Sequence, residues 1–81
     1  MYSVYILKSQ VDLRYYIGQT ENLEARILLH NQGGVPSTKS RRPLELVKSE
    51  SFATRTEARK RENYLKSLKG GNEFRKIVEM T

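Results

Sequence analysis

Cysteine is absent from this 81-residue chain. It therefore has neither a disulfide framework nor a thiolate zinc site. Histidine occurs once, at position 30, which excludes a His-rich metal cluster. No apolar run approaches the ~20 residues that a membrane-spanning helix needs. The first segment, Met1-Tyr2-Ser3-Val4-Tyr5-Ile6-Leu7-Lys8, lacks the basic n-region and small-residue cleavage site of a signal peptide. These absences lead to the expectation of a soluble, cytoplasmic protein with no membrane partner. The length allows one small domain, residues 1–81. Such a domain buries only about 60% of the surface its unfolded chain exposes.

Acidic side chains are few. Fifteen Lys and Arg stand against nine Asp and Glu, a net charge of +6. The first 38 residues are balanced: Lys8, Arg14 and Arg26 against Asp12, Glu21 and Glu24. The whole excess lies in residues 39–81. One-sided basicity points to an anionic partner, nucleic acid first, with a merely solubilising surface as the plainer explanation.

The segment Tyr2–Leu7 is β-branched, aromatic and mostly apolar, and reads as a strand buried on both faces. A polar turn, Ser9–Asp12, separates it from a second strand, Arg14–Gln19, so the two form an antiparallel hairpin. Gly18 inside that strand marks a bulge or a close backbone approach. Thr20 or Asn22 caps a helix running to about Asn31, with Leu23 and Ile27 on one face and Gly33-Gly34 ending it. A loop rich in Ser, Thr, Lys and Arg, Val35–Arg42, leads through Pro43 into a third strand, Leu44–Ser49. Thr54 and Glu57 fit a capping box opening a helix that runs to about Lys69, where Gly70-Gly71 stops it. Asn72 caps a last helix carrying Phe74, Ile77 and Val78 at i, i+3 and i+4. The order β-β-α-β-α-α makes a small α/β or α+β domain.

Some polar residues fall beside apolar stripes. Arg26 and His30 border the line through Leu23 and Ile27, where both can snorkel to the rim of the core. Glu62 flanks the stripe formed by Ala58, Leu65 and Leu68. A carboxylate at a core edge costs several kcal/mol unless paired or bound to a cation. Either an ion pair with an arginine such as Arg26 or a metal ion would satisfy it. Tyr5 and Tyr16 lie in the two hairpin strands, either as ordinary packing or as two phenols converging on a phosphate.

Taken together, these residues resemble the GIY-YIG nuclease domain in its small stand-alone form, over nearly the whole chain. The first half-motif appears as Ser3-Val4-Tyr5 and the second, intact, as Tyr16-Ile17-Gly18. Asn22-Leu23-Glu24-Ala25-Arg26 with His30-Asn31 looks like the family's first helix. Thr38–Val47 looks like its basic loop and third strand, and Glu57–Glu62 like the helix with its metal-binding glutamate. The resemblance implies an α+β fold, sandwich-like, with a three-stranded antiparallel sheet flanked by helices. It also implies metal-dependent cleavage of DNA phosphodiesters. By motif, Glu62 would hold one Mg2+ or Mn2+ ion and Arg26 the scissile phosphate. Tyr16 or Tyr5 would help deprotonate the attacking water, and His30 would assist the phosphate or the leaving group. Two departures stand out. Gln19 occupies the place where some members carry a lysine after YIG. Asn72 is the nearest counterpart of an asparagine that several members place near the end of the site.

A free tyrosine is only about 0.1% ionised at pH 7, so a nearby cation must ease removal of its proton. One carboxylate is a weak magnesium site, because that ion keeps several waters and shares substrate oxygens; metal binding is expected with DNA rather than without it. Lys39, Arg41, Arg42, Arg59, Lys60, Arg61, Lys66 and Lys69 could supply the grip on the DNA backbone. No segment looks like a base-reading helix, which suits branched, nicked or distorted DNA of the kind met in repair. The alternatives are a nucleic-acid-binding module without turnover, or a subunit whose protein partner supplies specificity. A monomer is the simpler expectation.

Overall fold

The computed structural model describes residues 1–68 and 71–79. Strands β1 (Tyr2–Ser9) and β2 (Tyr15–Thr20) are followed by helix α1 (Leu23–Asn31), strand β3 (Leu44–Phe52) and helices α2 (Arg55–Ser67) and α3 (Asn72–Glu79). The strands form one antiparallel sheet in the order β2-β1-β3. The fold is α+β, with the element order read from the sequence.

The hairpin partner β2 and the later β3 take the two edges, so β1 is central and loses water on both faces. Val4 and Ile6 point to one side, where Ala58 and Leu65 of α2 and Phe74 of α3 complete the larger core. Tyr5 and Leu7 point to the other, against Leu44 and the Leu23 and Ile27 face of α1. Apolar residues at consecutive positions thus serve two cores.

Local signals set most boundaries. The Asn22 side chain accepts from the Ala25 N–H at 3.1 Å and is the cap of α1, while the Thr20 hydroxyl accepts from the Asn22 N–H at 3.1 Å. At the other end Gly33 adopts φ +83°. Its N–H bonds the His30 carbonyl at 3.2 Å, and the Gly34 N–H bonds the Leu29 carbonyl at 2.9 Å. That is the Schellman arrangement, which a left-handed glycine permits. Thr54 caps α2 by accepting from the Glu57 N–H at 3.2 Å, and its hydroxyl donates to the Glu57 carboxylate at 3.0 Å.

Three details differ from the reading of the sequence. β3 continues three residues past Ser49, because Glu50, Ser51 and Phe52 pair with Val4, Ser3 and Tyr2 of the buried strand; pairing overrides the weak strand preference of Glu50. The sheet irregularity lies in β3, where Ile6 faces Lys48 and Leu7 faces Leu46, whereas β1 and β2 stay in register throughout. Gly18 is therefore a close approach and not a bulge. Asn72 is the first residue of α3 and not its cap, since the Gly71 carbonyl accepts the Arg75 N–H at 3.0 Å. The expected stop at Gly70 and the basic residue Lys69 lie outside the described residues.

Candidate active site

The site begins with the central strand. Tyr5 is 3% exposed and sits opposite Gly18 of β2. A Cβ at Gly18 would fall on the Tyr5 hydroxyl and 2.6 Å from its Cζ. The glycine of the YIG segment thus makes room for the phenol of the first strand. On the same face Tyr16 stands opposite Leu7.

Helix α1 brings two side chains to Tyr5. The Arg26 Nε donates to the Tyr5 hydroxyl at 3.3 Å. His30 Nε2 lies 3.1 Å from the same oxygen, with the two rings edge-on at a centroid distance of 5.8 Å. The other ring nitrogen, Nδ1, is 2.8 Å from the hydroxyl of Thr38. His30 and Thr38 are both buried. Burial first, and the charge of Arg26 second, hold the His30 pKa below its ordinary value, so the imidazole is kept neutral. Among the described residues no carboxylate pairs with Arg26.

Tyr16 has a different set of partners. Its hydroxyl donates to the Asp12 carboxylate at 3.3 Å and accepts from Arg41 Nε at 2.6 Å; Arg41 Nε is also 2.8 Å from that carboxylate. The Arg14 backbone N–H does most to lower the Asp12 pKa; burial opposes it, and Ser9, Arg41 and Tyr16 add smaller lowering effects. Ser9, fully buried, ties the hairpin turn to the basic loop by donating to the Arg41 carbonyl at 2.7 Å.

Glu62 reaches the site from the other layer. A groove of about 890 Å3 along edge strand β2 is lined by Tyr5, Tyr16, Gly18, Gln19, Arg26, His30, Thr38 and Glu62, among others. Because β2 is the edge, residues from α1 on one face and α2 on the other border one opening. Glu62 is paired with Lys66, one turn along α2, at 2.8 Å. The expected arginine partner is therefore replaced by a lysine, which the helical i,i+4 spacing brings alongside.

The donor set admits a limited kind of metal site. Among the described residues no group of three or more His, Asp or Glu could form a closed cage. The Glu62 side chain is 14% exposed and lines the same groove as Tyr5 and Tyr16. A hard divalent cation that keeps most of its waters and completes its shell with phosphate oxygens fits one carboxylate of this kind. Lys66 competes for the same oxygens.

The basic residues divide into two groups. Lys39, Arg42, Arg59 and Lys60 are exposed. Arg61 makes a bidentate pair with Glu50 at 2.7 and 3.1 Å, Arg41 pairs with Asp12, and Lys66 with Glu62. Arg42 is also anchored locally, its Nε donating to the Lys39 carbonyl at 2.8 Å. Asn72 is exposed on α3 and is not among the residues lining the groove.

Residues 1–75 match the GIY-YIG catalytic domain. The chain belongs to the GIY-YIG family. That family is nuclease-like, and its enzymes are generally dependent on a divalent metal. The chain is 43% identical over 77 residues to a UPF0213 protein of Staphylococcus haemolyticus, covering 94% of this chain and 93% of that one. It is 48% identical over 66 residues to a UPF0213 protein of Clostridium perfringens, covering 80% and 70%. The solution NMR structure of a UPF0213 protein from Bacillus halodurans superposes with a TM-score of 0.51 at 32% identity, over 100% of this chain and 99% of that one.

The sequence marks Arg41 as a DNA contact but gives no place in the site to Thr38 or to Asp12, the partner of Arg41. Thr38 lies eight positions beyond His30 across a loop, and no periodicity connects them. Asp12 is in a hairpin turn, where turn formation already accounts for an aspartate. Lys66, expected to grip DNA, pairs with Glu62 instead, and the i,i+4 spacing is the signal that points to it.

Proposed function

We propose that this GIY-YIG chain is a metal-dependent endonuclease that hydrolyses DNA phosphodiesters, acting in the cytoplasm on branched or distorted DNA. The observation that carries the reading is the convergence of Tyr5, Tyr16, Arg26, His30 and Glu62 on one groove. Tyr5 is the better placed of the two phenols to take a proton from the attacking water. The neutral His30 Nε2 lies within hydrogen-bond reach of its hydroxyl, and Arg26 stabilises negative charge developing on its oxygen. The proton of Tyr16 is already directed to Asp12. The guanidinium of Arg26, free of any described carboxylate, suits a phosphoryl oxygen through its planar fork. Glu62 would hold the divalent ion, whose chemistry is to neutralise charge building on the phosphate. Lys39, Arg42, Arg59 and Lys60 would contact the DNA backbone, and a protein partner would supply any further specificity.

A gel assay on supercoiled, linear and branched DNA with magnesium or manganese tests this reading. Metal-dependent cleavage should fall by at least about a hundredfold in Glu62→Ala and Arg26→Ala. Cleavage by Glu62→Ala at the wild-type rate would remove the metal-holding role. One observation favours the second reading, a binding module without turnover: Lys66 neutralises the groove's glutamate. Intact DNA on every substrate, with binding retained, would establish that reading instead.

A further inference from the structure

Thr38 belongs to no regular helix or strand, yet it is 1% exposed and its hydroxyl is fully engaged. Its Oγ1 lies 2.8 Å from His30 Nδ1 and donates to the Val35 carbonyl at 3.4 Å. The segment holding it is fixed on both sides: the Thr38 N–H bonds the Val35 carbonyl at 3.1 Å, and the Thr38 carbonyl accepts the Arg41 N–H at 2.9 Å. A hydroxyl has one proton and two lone pairs. With that proton on the Val35 carbonyl, Oγ1 can only accept from the imidazole. His30 then carries its single proton on Nδ1, and the lone pair of Nε2 faces the Tyr5 hydroxyl 3.1 Å away.

We propose that Thr38 is a positioning residue that holds His30 as the Nδ1–H tautomer, so that Nε2 is the acceptor for the Tyr5 hydroxyl proton. The order of donors is Arg26 Nε–H to Tyr5 oxygen, Tyr5 O–H to His30 Nε2, His30 Nδ1–H to Thr38 oxygen, and Thr38 O–H to the Val35 carbonyl. Each of the four side chains donates once, Tyr5, His30 and Thr38 each also accept once, and the Val35 carbonyl ends the series as an acceptor. The opposite tautomer would place Nε2–H against the Tyr5 oxygen, and the phenol would lose its proton acceptor. The effect on rate rests on the nuclease reading given above. The tautomer itself belongs to the protein without DNA.

The test is the 15N spectrum of the histidine ring in the whole chain at neutral pH, where protonated and unprotonated ring nitrogens resolve and His30 is the sole histidine. The expected result is a protonated Nδ1 and a bare Nε2. Thr38→Ser should keep that spectrum. Thr38→Val, which retains shape and loses the hydroxyl, should lose the tautomer preference and lower kcat by about a hundredfold with KM within about twofold. A proton on Nε2 in the wild type would overturn the proposal, as would identical ring spectra in the wild type and Thr38→Val. Should Thr38→Val fail to fold, the wild-type spectrum still decides. A bare Nε2 in a protein that cleaves no DNA supports the role of Thr38 and defeats only the nuclease reading.

Discussion

Burial, with the nearby Arg26 charge, keeps the His30 imidazole below its ordinary pKa of 6.5. The unfolded chain has no such restraint and binds a proton there more readily. Protons therefore favour unfolding: the contribution is intact above the unfolded pKa and is lost as pH falls through 6.5 toward the folded value. Thermal melts between pH 7.5 and 5, the range about the unperturbed histidine pKa, should show the wild type losing Tm on acidification. His30→Gln should lose markedly less over the same interval. A wild type whose melting point is as insensitive to pH as the variant would show that His30 takes its proton without cost. Arg26, Tyr5 and Thr38 all touch or face this ring, so the effect belongs to their packing as much as to the imidazole.

Helix α2 presents only Ala58 and Leu65 as fully buried side chains, and most of its length is charged or polar. Such a helix depends strongly on how it starts. Thr54→Ala removes the acceptor for the Glu57 N–H and should destabilise the protein by about 1 kcal/mol in chemical denaturation, with Thr54→Asn restoring most of the loss. Elements with local signals of this kind were legible in the sequence: the Thr54 cap, the Gly33-Gly34 stop and the two-sided strand at Tyr2–Leu7. Elements decided by distant partners were not. Glu50-Ser51-Phe52 lies past the end of the strand read from the sequence and is strand because β1 lies beside it. The candidate site divides in the same way. Tyr5, Tyr16, Arg26, His30 and Glu62 could be named from motif order, but their partners are reached across loops or between layers. The Thr38 hydroxyl on His30 and the Asp12–Arg41 grip on Tyr16 follow from tertiary packing that no spacing encodes.

For the whole molecule, charge sets what binding would look like. The sequence excess is +6, yet Arg41, Arg61 and Lys66 are already opposite carboxylates. If Lys39, Arg42, Arg59 and Lys60 each meet a phosphate, log K should fall against log salt with a slope of about −4. Removing any one of them should reduce that slope by about 1, measured by fluorescence anisotropy on a short duplex across a salt series. Arg61→Ala, which breaks a pair with Glu50, should leave the slope unchanged and lower stability instead. Equal effects of Arg61→Ala and Lys60→Ala on the slope would show that the ion pair opens to DNA.

Strand β1 supplies buried side chains to both cores and also carries Tyr5. Its amides are enclosed by a strand on each edge and by helices on each face. Hydrogen exchange at such a position needs the opening of nearly the entire protein and not the fraying of one part. The phenol of Tyr5 is consequently as permanent as the fold. Its place is set by the packing of the two cores and requires no ligand.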